Sequence, residues 1–160
     1  IKHMQQYYVE HDLVGDKNAN NTIREQERRK EKMKTAENNG FILVYRPLSL
    51  IPEVLKVDNQ KLLQTVKELC QGYESVSIAK LHAIHQGAVF ICSDDFSRLN
   101  DKRVNLVGTY LYAHSVIIGT ICIVKAEYDE YGEIAHVGFS ESAATQIRDN
   151  ILTKTSATFK

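Results

Sequence analysis

The stretch Gly87-Ala88-Val89-Phe90-Ile91-Cys92-Ser93-Asp94-Asp95 decides how this chain is read. Five apolar residues in succession follow a glycine, and a serine with two aspartates closes the run. A continuous apolar run of this length suits a strand buried on both faces, the usual condition in a parallel sheet. Phe41-Ile42-Leu43-Val44-Tyr45 has the same character after Asn39-Gly40, and Val116-Ile117-Ile118 repeats it before Gly119-Thr120. Strands are therefore expected at 41–45, 88–92 and 115–118.

Between these runs the apolar spacing is helical. Leu62, Leu63, Val66, Leu69 and Cys70 mark one face of a helix that Asp58 can cap and Gln71-Gly72 ends. A second helix is expected from about Glu74 to His85, burying Ile78 and Leu81. Val104, Val107 and Leu111 place another within 98–113. Further helices are expected over 121–131, with Thr120 as N-cap, and from Ser140 through Ile151. Near the N-terminus, Thr22-Ile23-Arg24-Glu25 is a capping-box pattern for a helix reaching about residue 37. Its charged stretch, Arg24 to Lys34, holds three acids and six bases, which suits a solvated face or a surface for phosphates. Buried strands separated by helices imply βαβ connections, so the expected fold is α/β, three-layered, with a central and mostly parallel sheet.

Bulk properties bound the function. A chain of 160 residues is expected to form one domain, 1–160. Net charge is zero, so any nucleic-acid contact must come from a local patch. Three cysteines, two of them inside apolar runs, fit free thiols in a reducing, cytoplasmic compartment better than a disulfide framework. The most apolar stretch, Val104 to Val124, is interrupted by Asn105, His114 and Ser115, and no membrane span is expected.

In an open α/β sheet ligands bind beyond the carboxyl ends of the strands. Asp94 and Asp95 would lie there, and Glu74, opening the preceding helix, would face the same crevice. Adjacent carboxylates ionise together only when solvated or neutralised, and Mg²⁺ or Mn²⁺ prefers such oxygen donors. One aspartate capping a helix while the other faces water is the plainer reading of the same pair. His82 and His85 lack a third ligand, and Cys92 reads as packing.

The segments Gly72-Tyr73-Glu74-Ser75-Val76-Ser77-Ile78-Ala79-Lys80-Leu81 and Gly87 to Asp95 resemble the core of PIN-domain nucleases. Val116 to Thr120, Tyr131-Gly132-Glu133-Ile134 and Gly138-Phe139-Ser140 are similar to that fold's closing elements. The resemblance implies a PIN-like domain whose first strand is missing from, or lies upstream of, this chain. It implies a Mg²⁺- or Mn²⁺-dependent ribonuclease, with Glu74, Asp94 and Asp95 as catalytic and metal-binding carboxylates. Asp16 would be a further metal ligand, with Glu10 and Asp12 competing for that place. Arg98 and Thr120 would border the substrate, an RNA or single-stranded nucleic acid, and the partner could be a second copy or an inhibitory protein.

A second reading remains open. Ser115 to Val124 can be one long strand and Ser140 to Asn150 a terminal helix, as in GAF-type sensor domains. The sheet is then antiparallel, Asp94-Asp95 lie in a loop, and the function is small-molecule binding. A catalytically inactive PIN-like interaction protein is the third.

Overall fold

The computed structural model describes residues 38–159. The element order is β1 (Asn39–Tyr45), β2 (Glu53–Asp58), α1 (Leu62–Cys70), β3 (Glu74–Val76), α2 (Ala79–Ile84), β4 (Ala88–Cys92), α3 (Leu106–Tyr112), β5 (Ile121–Tyr128), β6 (Ile134–Val137) and α4 (Glu141–Thr158). Residues 39–127 and 134–159 make one compact unit, and 128–133 fall outside it. That short segment is a turn held by Asp129, whose carboxylate accepts from the backbone N–H groups of Tyr131 and Glu133.

The sheet is antiparallel throughout, which overturns the expected parallel, PIN-like arrangement. Strand order is β2-β1-β5-β4-β3, with β6 pairing β5 off this path. β1 opposes β2 with Leu43 against Val54, and β5 with Leu43 against Ile123. β4 lies between β5 and β3, setting Phe90 opposite both Ile123 and Val76.

The reason the sequence misleads is coverage. β4 is fully buried along its length, as expected, but its two faces are covered by helices from an antiparallel sheet. On one face Phe90, Leu43, Tyr45 and Ile123 pack with Leu81 of α2, Val107 and Leu111 of α3, and Ile147 and Ile151 of α4. On the other, Ile42, Val44, Val89, Ile91 and Cys122 pack against Leu62, Val66 and Cys70 of α1. A strand buried on both faces reads the same whichever way its neighbours run.

Several element expectations also need correction. Glu74 opens strand β3 rather than a helix, and helix α2 begins only at Ala79. Residues 121–128 form the central strand β5 rather than a helix, so Thr120 is not an N-cap. The run 115–118 joins no named strand and makes only an antiparallel bridge, Val104 to Ile118. β2, which follows Pro52, was not foreseen. Asp58 ends β2 and accepts from the Gln60 N–H, while the N-cap position of α1 is Lys61, without a side-chain cap. The last helix begins as expected, with the Ser140 hydroxyl accepting from the Ala143 N–H. The expected helix over 22–37, its basic residues and Asp16 lie outside the described residues.

Two details fix the connections. Asn105 is fully buried and caps α3, its Oδ1 accepting from the Gly108 N–H at 2.8 Å. Its Nδ2 donates to the carbonyls of Tyr45 and Gly119, both at 2.9 Å, tying α3 to the ends of β1 and β5. Gly40 and Gly138 cross so closely that a Cβ on Gly40 would meet Gly138 Cα at 2.6 Å. Glycine is needed at that crossing because backbone, which cannot yield, occupies the space.

Candidate functional site

Among the described residues α1 is the one helix on its face of the sheet. Gln71, in the left-handed conformation, and Gly72 turn the chain out of the helix. Serine and aspartate from the end of β4 meet this turn. The Ser93 hydroxyl donates to Gln71 O at 3.0 Å, and Asp94 Oδ1 accepts from the Tyr73 N–H at 3.2 Å. Gly72 has φ +149, and a Cβ there would sit 2.4 Å from Asp94 Oδ1, so only glycine lets the two segments close.

A cavity of about 730 Å³ opens at this junction, lined by Leu63, Lys67, Glu68, Gln71, Gly72, Tyr73, Asp94 and Arg98. A second, of about 480 Å³, lies on the other side of Glu68 and Gln71 and is lined in part by Arg46, Asn100, Asp101, Arg103 and Thr120. The wall between them is fastened by the Asn100 N–H, which donates to Gln71 Oε1 at 2.8 Å. Arg46, Arg98 and Arg103 each have a carboxylate partner, Glu53, Asp95 and Asp101 respectively.

The carboxylates singled out in the sequence separate here into different roles. Asp94 walls the larger cavity. Asp95 caps the short 3₁₀ turn Phe96–Arg98, accepting from the Ser97 N–H at 3.1 Å and its hydroxyl at 2.6 Å. Those hydrogen bonds, with Arg98 at 3.3 Å, hold its carboxyl below the usual range. This is the helix-capping role weighed for one member of the pair. Glu74 is exposed at the start of β3, opposite Cys92. Burial, followed by the charges of Glu74, Cys70 and Asp94, pushes the Cys92 thiol up to about 12. Cys92 is a buried, packed thiol.

Of the donor set expected for Mg²⁺ or Mn²⁺, Asp16 lies outside the described residues. Among the described residues no three His, Cys, Asp or Glu side chains are grouped as a cation would require. Arg98 does line the larger cavity, and Thr120, nearly buried, lines the smaller. Lys67, Glu68 and Gln71 were not foreseen as site residues, because in sequence they read as the end of an amphipathic helix, and Tyr73 stood only within the PIN-like segment that follows it. Leu63 carries the one visible hint: placed with the buried face by spacing, it is 49% exposed and faces the cavity.

Two further groups lie on this face. The Cys70 thiol donates to Ile91 O at 3.4 Å and lies 3.7 Å from the Cys122 sulfur. The neighbouring Cys122 thiol, together with burial, raises the Cys70 thiol far above its ordinary value, so Cys70 is no ready thiolate. His136 of β6 hydrogen-bonds Tyr73 Oη through Nδ1 and faces Ser75 Oγ with Nε2 at 3.4 Å. Burial lowers the His136 pKa and raises that of Tyr73, the latter aided by Cys70 and Cys122.

Compared with known proteins, the chain matches no family model, no curated protein and no solved structure. No helix among the described residues is long and apolar enough to cross a membrane.

Proposed function

We propose that this chain is a small-molecule-binding module, the sensor-type reading of the sequence. The observation that carries it is the 730 Å³ cavity at the C-terminal end of α1, within the size range of ligand sites. Its walls combine a leucine and a tyrosine with two cations, Lys67 and Arg98, and two anions, Glu68 and Asp94. Such a lining suits a compact polar ligand that carries charge of both signs, held by a few directed groups beside an apolar surface. The antiparallel sheet and the placement of Asp94 and Asp95 in a loop support this reading, while its single strand over 115–124 is replaced by β5 at Ile121–Tyr128. The nuclease reading needed Glu74, Asp94 and Asp95 to converge on one strand edge, and Asp95 is engaged with Ser97 and Arg98 instead.

Thermal unfolding with a panel of amino acids, nucleotides and Mn²⁺ separates the two. A bound organic ligand at about a hundredfold excess over Kd should stabilise the fold by about 2.7 kcal/mol. Asp94→Lys and Gly72→Leu should each abolish that shift. Stabilisation by Mn²⁺ that Asp95→Asn removes, with no organic ligand acting, would return the function to metal-dependent phosphodiester cleavage.

A further inference from the structure

The described unit brings together a hydroxyl, an imidazole and a phenol from segments about sixty residues apart in the chain. Tyr73 and Ser75 alternate along the segment entering β3, so both side chains stand on one side of it. His136 reaches them from β6, with Nδ1 on Tyr73 Oη and Nε2 toward Ser75 Oγ at 3.4 Å. A neutral imidazole carries one N–H and one lone pair, so a partner on one nitrogen decides what the other offers. In the tautomer that serves as a base, the phenol oxygen accepts from Nδ1–H and the Nε2 lone pair faces the serine hydroxyl. Burial favours the neutral ring. Ser75 is exposed, and Tyr73 lies at the wall of the larger cavity.

We propose that Ser75 is a nucleophile, His136 its general base and Tyr73 the positioning residue that fixes the base, forming a site for acyl transfer from small carboxylic esters. Nucleophile and base within hydrogen-bond reach, with the base oriented by a third group, is the arrangement that activates a serine. Ser75 Oγ attacks the acyl carbon while Nε2 takes its proton. The C–O bond to the alcohol breaks, and the alcohol leaves with that proton. Water then adds to the acyl-serine with His136 again as base, releasing the carboxylic acid and restoring the hydroxyl. β3 is the outer strand of the described sheet, bonded on one side by β4. Alternate N–H groups along Glu74–Val76 therefore point away from β4, where they can donate to the oxyanion. This chemistry is independent of what the larger cavity binds.

The full chain is incubated with a fluorophosphonate and, separately, with p-nitrophenyl acetate. A phosphonyl adduct mapped to Ser75 is expected, with loss of labelling in Ser75→Ala. His136→Gln should slow both reactions by about a hundredfold or more, the usual scale of general-base assistance. Tyr73→Phe should slow them less and move the midpoint of the pH–rate profile, which lost packing alone would not do. The groups facing the imidazole in that profile are the Tyr73 phenol and the Ser75 hydroxyl, with the Cys70 and Cys122 thiols acting on Tyr73. In Ser75→Cys, alkylation by iodoacetamide should be faster than in the double variant that also carries His136→Gln, folding being checked by circular dichroism. No adduct at Ser75, or an adduct formed equally fast in a folded His136→Gln protein, overturns the proposal.

Discussion

Among the described residues the two faces of the sheet are covered by different amounts of helix. α2, α3 and α4 together close one face, and its large side chains, Phe90, Tyr45, Phe139 and Ile147, are buried almost completely. Among the described residues α1 covers the other by itself, with nine residues. At about 1.5 Å per residue it spans roughly 13 Å, shorter than β5 beneath it. Its buried contacts, Leu62, Val66 and Cys70, recur at every fourth residue and stop where the helix stops. Both cavities and the Tyr73–His136–Ser75 group lie where this cover ends.

Truncation should expose this asymmetry most strongly. Phe90→Ala, on the three-helix face, removes a fully buried ring and should cost about 3–5 kcal/mol in denaturant unfolding. Val66→Ala beneath α1 deletes the equivalent of two methylenes and should cost only about 1.6 kcal/mol. Equal losses would break the comparison between the faces.

A somewhat smaller effect is expected at the hinge between β1, α3 and β5. Asn105→Ala leaves the carbonyls of Tyr45 and Gly119 and the Gly108 N–H without their partner. Each buried group orphaned costs about 1–3 kcal/mol, reduced where water can enter, so a total of about 2–4 kcal/mol is expected. Urea titration of the variant measures it, and a loss below about 1 kcal/mol would show the side chain to be dispensable.

Tyr45 sharpens the contrast from the opposite direction. Its hydroxyl is buried with no hydrogen-bond partner among the described residues, and burial raises its pKa. Tyr45→Phe removes an unsatisfied polar atom, so stability should rise by about 1 kcal/mol, read as a higher midpoint in urea at constant slope. A loss of stability would reveal a partner for that oxygen.

The smallest effect is a pH dependence on the α1 face. His136 has its pKa lowered by burial from an ordinary 6.5, so near that pH the unfolded chain binds more protons than the folded one. Stability should therefore fall as pH drops through 6.5 toward the lower, folded value. The His136→Gln protein should lose that part of the slope. Unchanged slopes in the two proteins between about pH 7 and 5 would show that the imidazole is solvated.

Local cues are sound where they depend on neighbours in sequence. The run 88–92 is a buried strand, 41–45 is a strand, the helix ending at Gln71-Gly72 is present, and Ser140 starts the last helix. Ile121 to Tyr128 defeats the same reasoning because an apolar run of this length carries no unambiguous period. Its β-branched residues favour a strand, and pairing with β1 on one side and β4 on the other fixes it as one. Glu74 behaves similarly, drawn into β3 by the edge of β4.

Sequence by itself marked the buried strands 41–45 and 88–92, since burial follows the placement of apolar side chains, but not the exposure of Leu63 and Val116. It also named residues that do border cavities, Asp94, Arg98 and Thr120. Strand direction was decided by tertiary structure alone, because a strand covered on both faces has the same composition in parallel and antiparallel sheets. That one of Asp94 and Asp95 caps the following turn was legible in the sequence, but not which one. Adjacent carboxylates are alike as letters, and only the loop geometry gives one to Tyr73 and the cavity and the other to Ser97 and Arg98. Nor does any spacing announce that His136 will meet Tyr73 and Ser75. Residues that far apart become neighbours through the path of the chain, which no local pattern encodes.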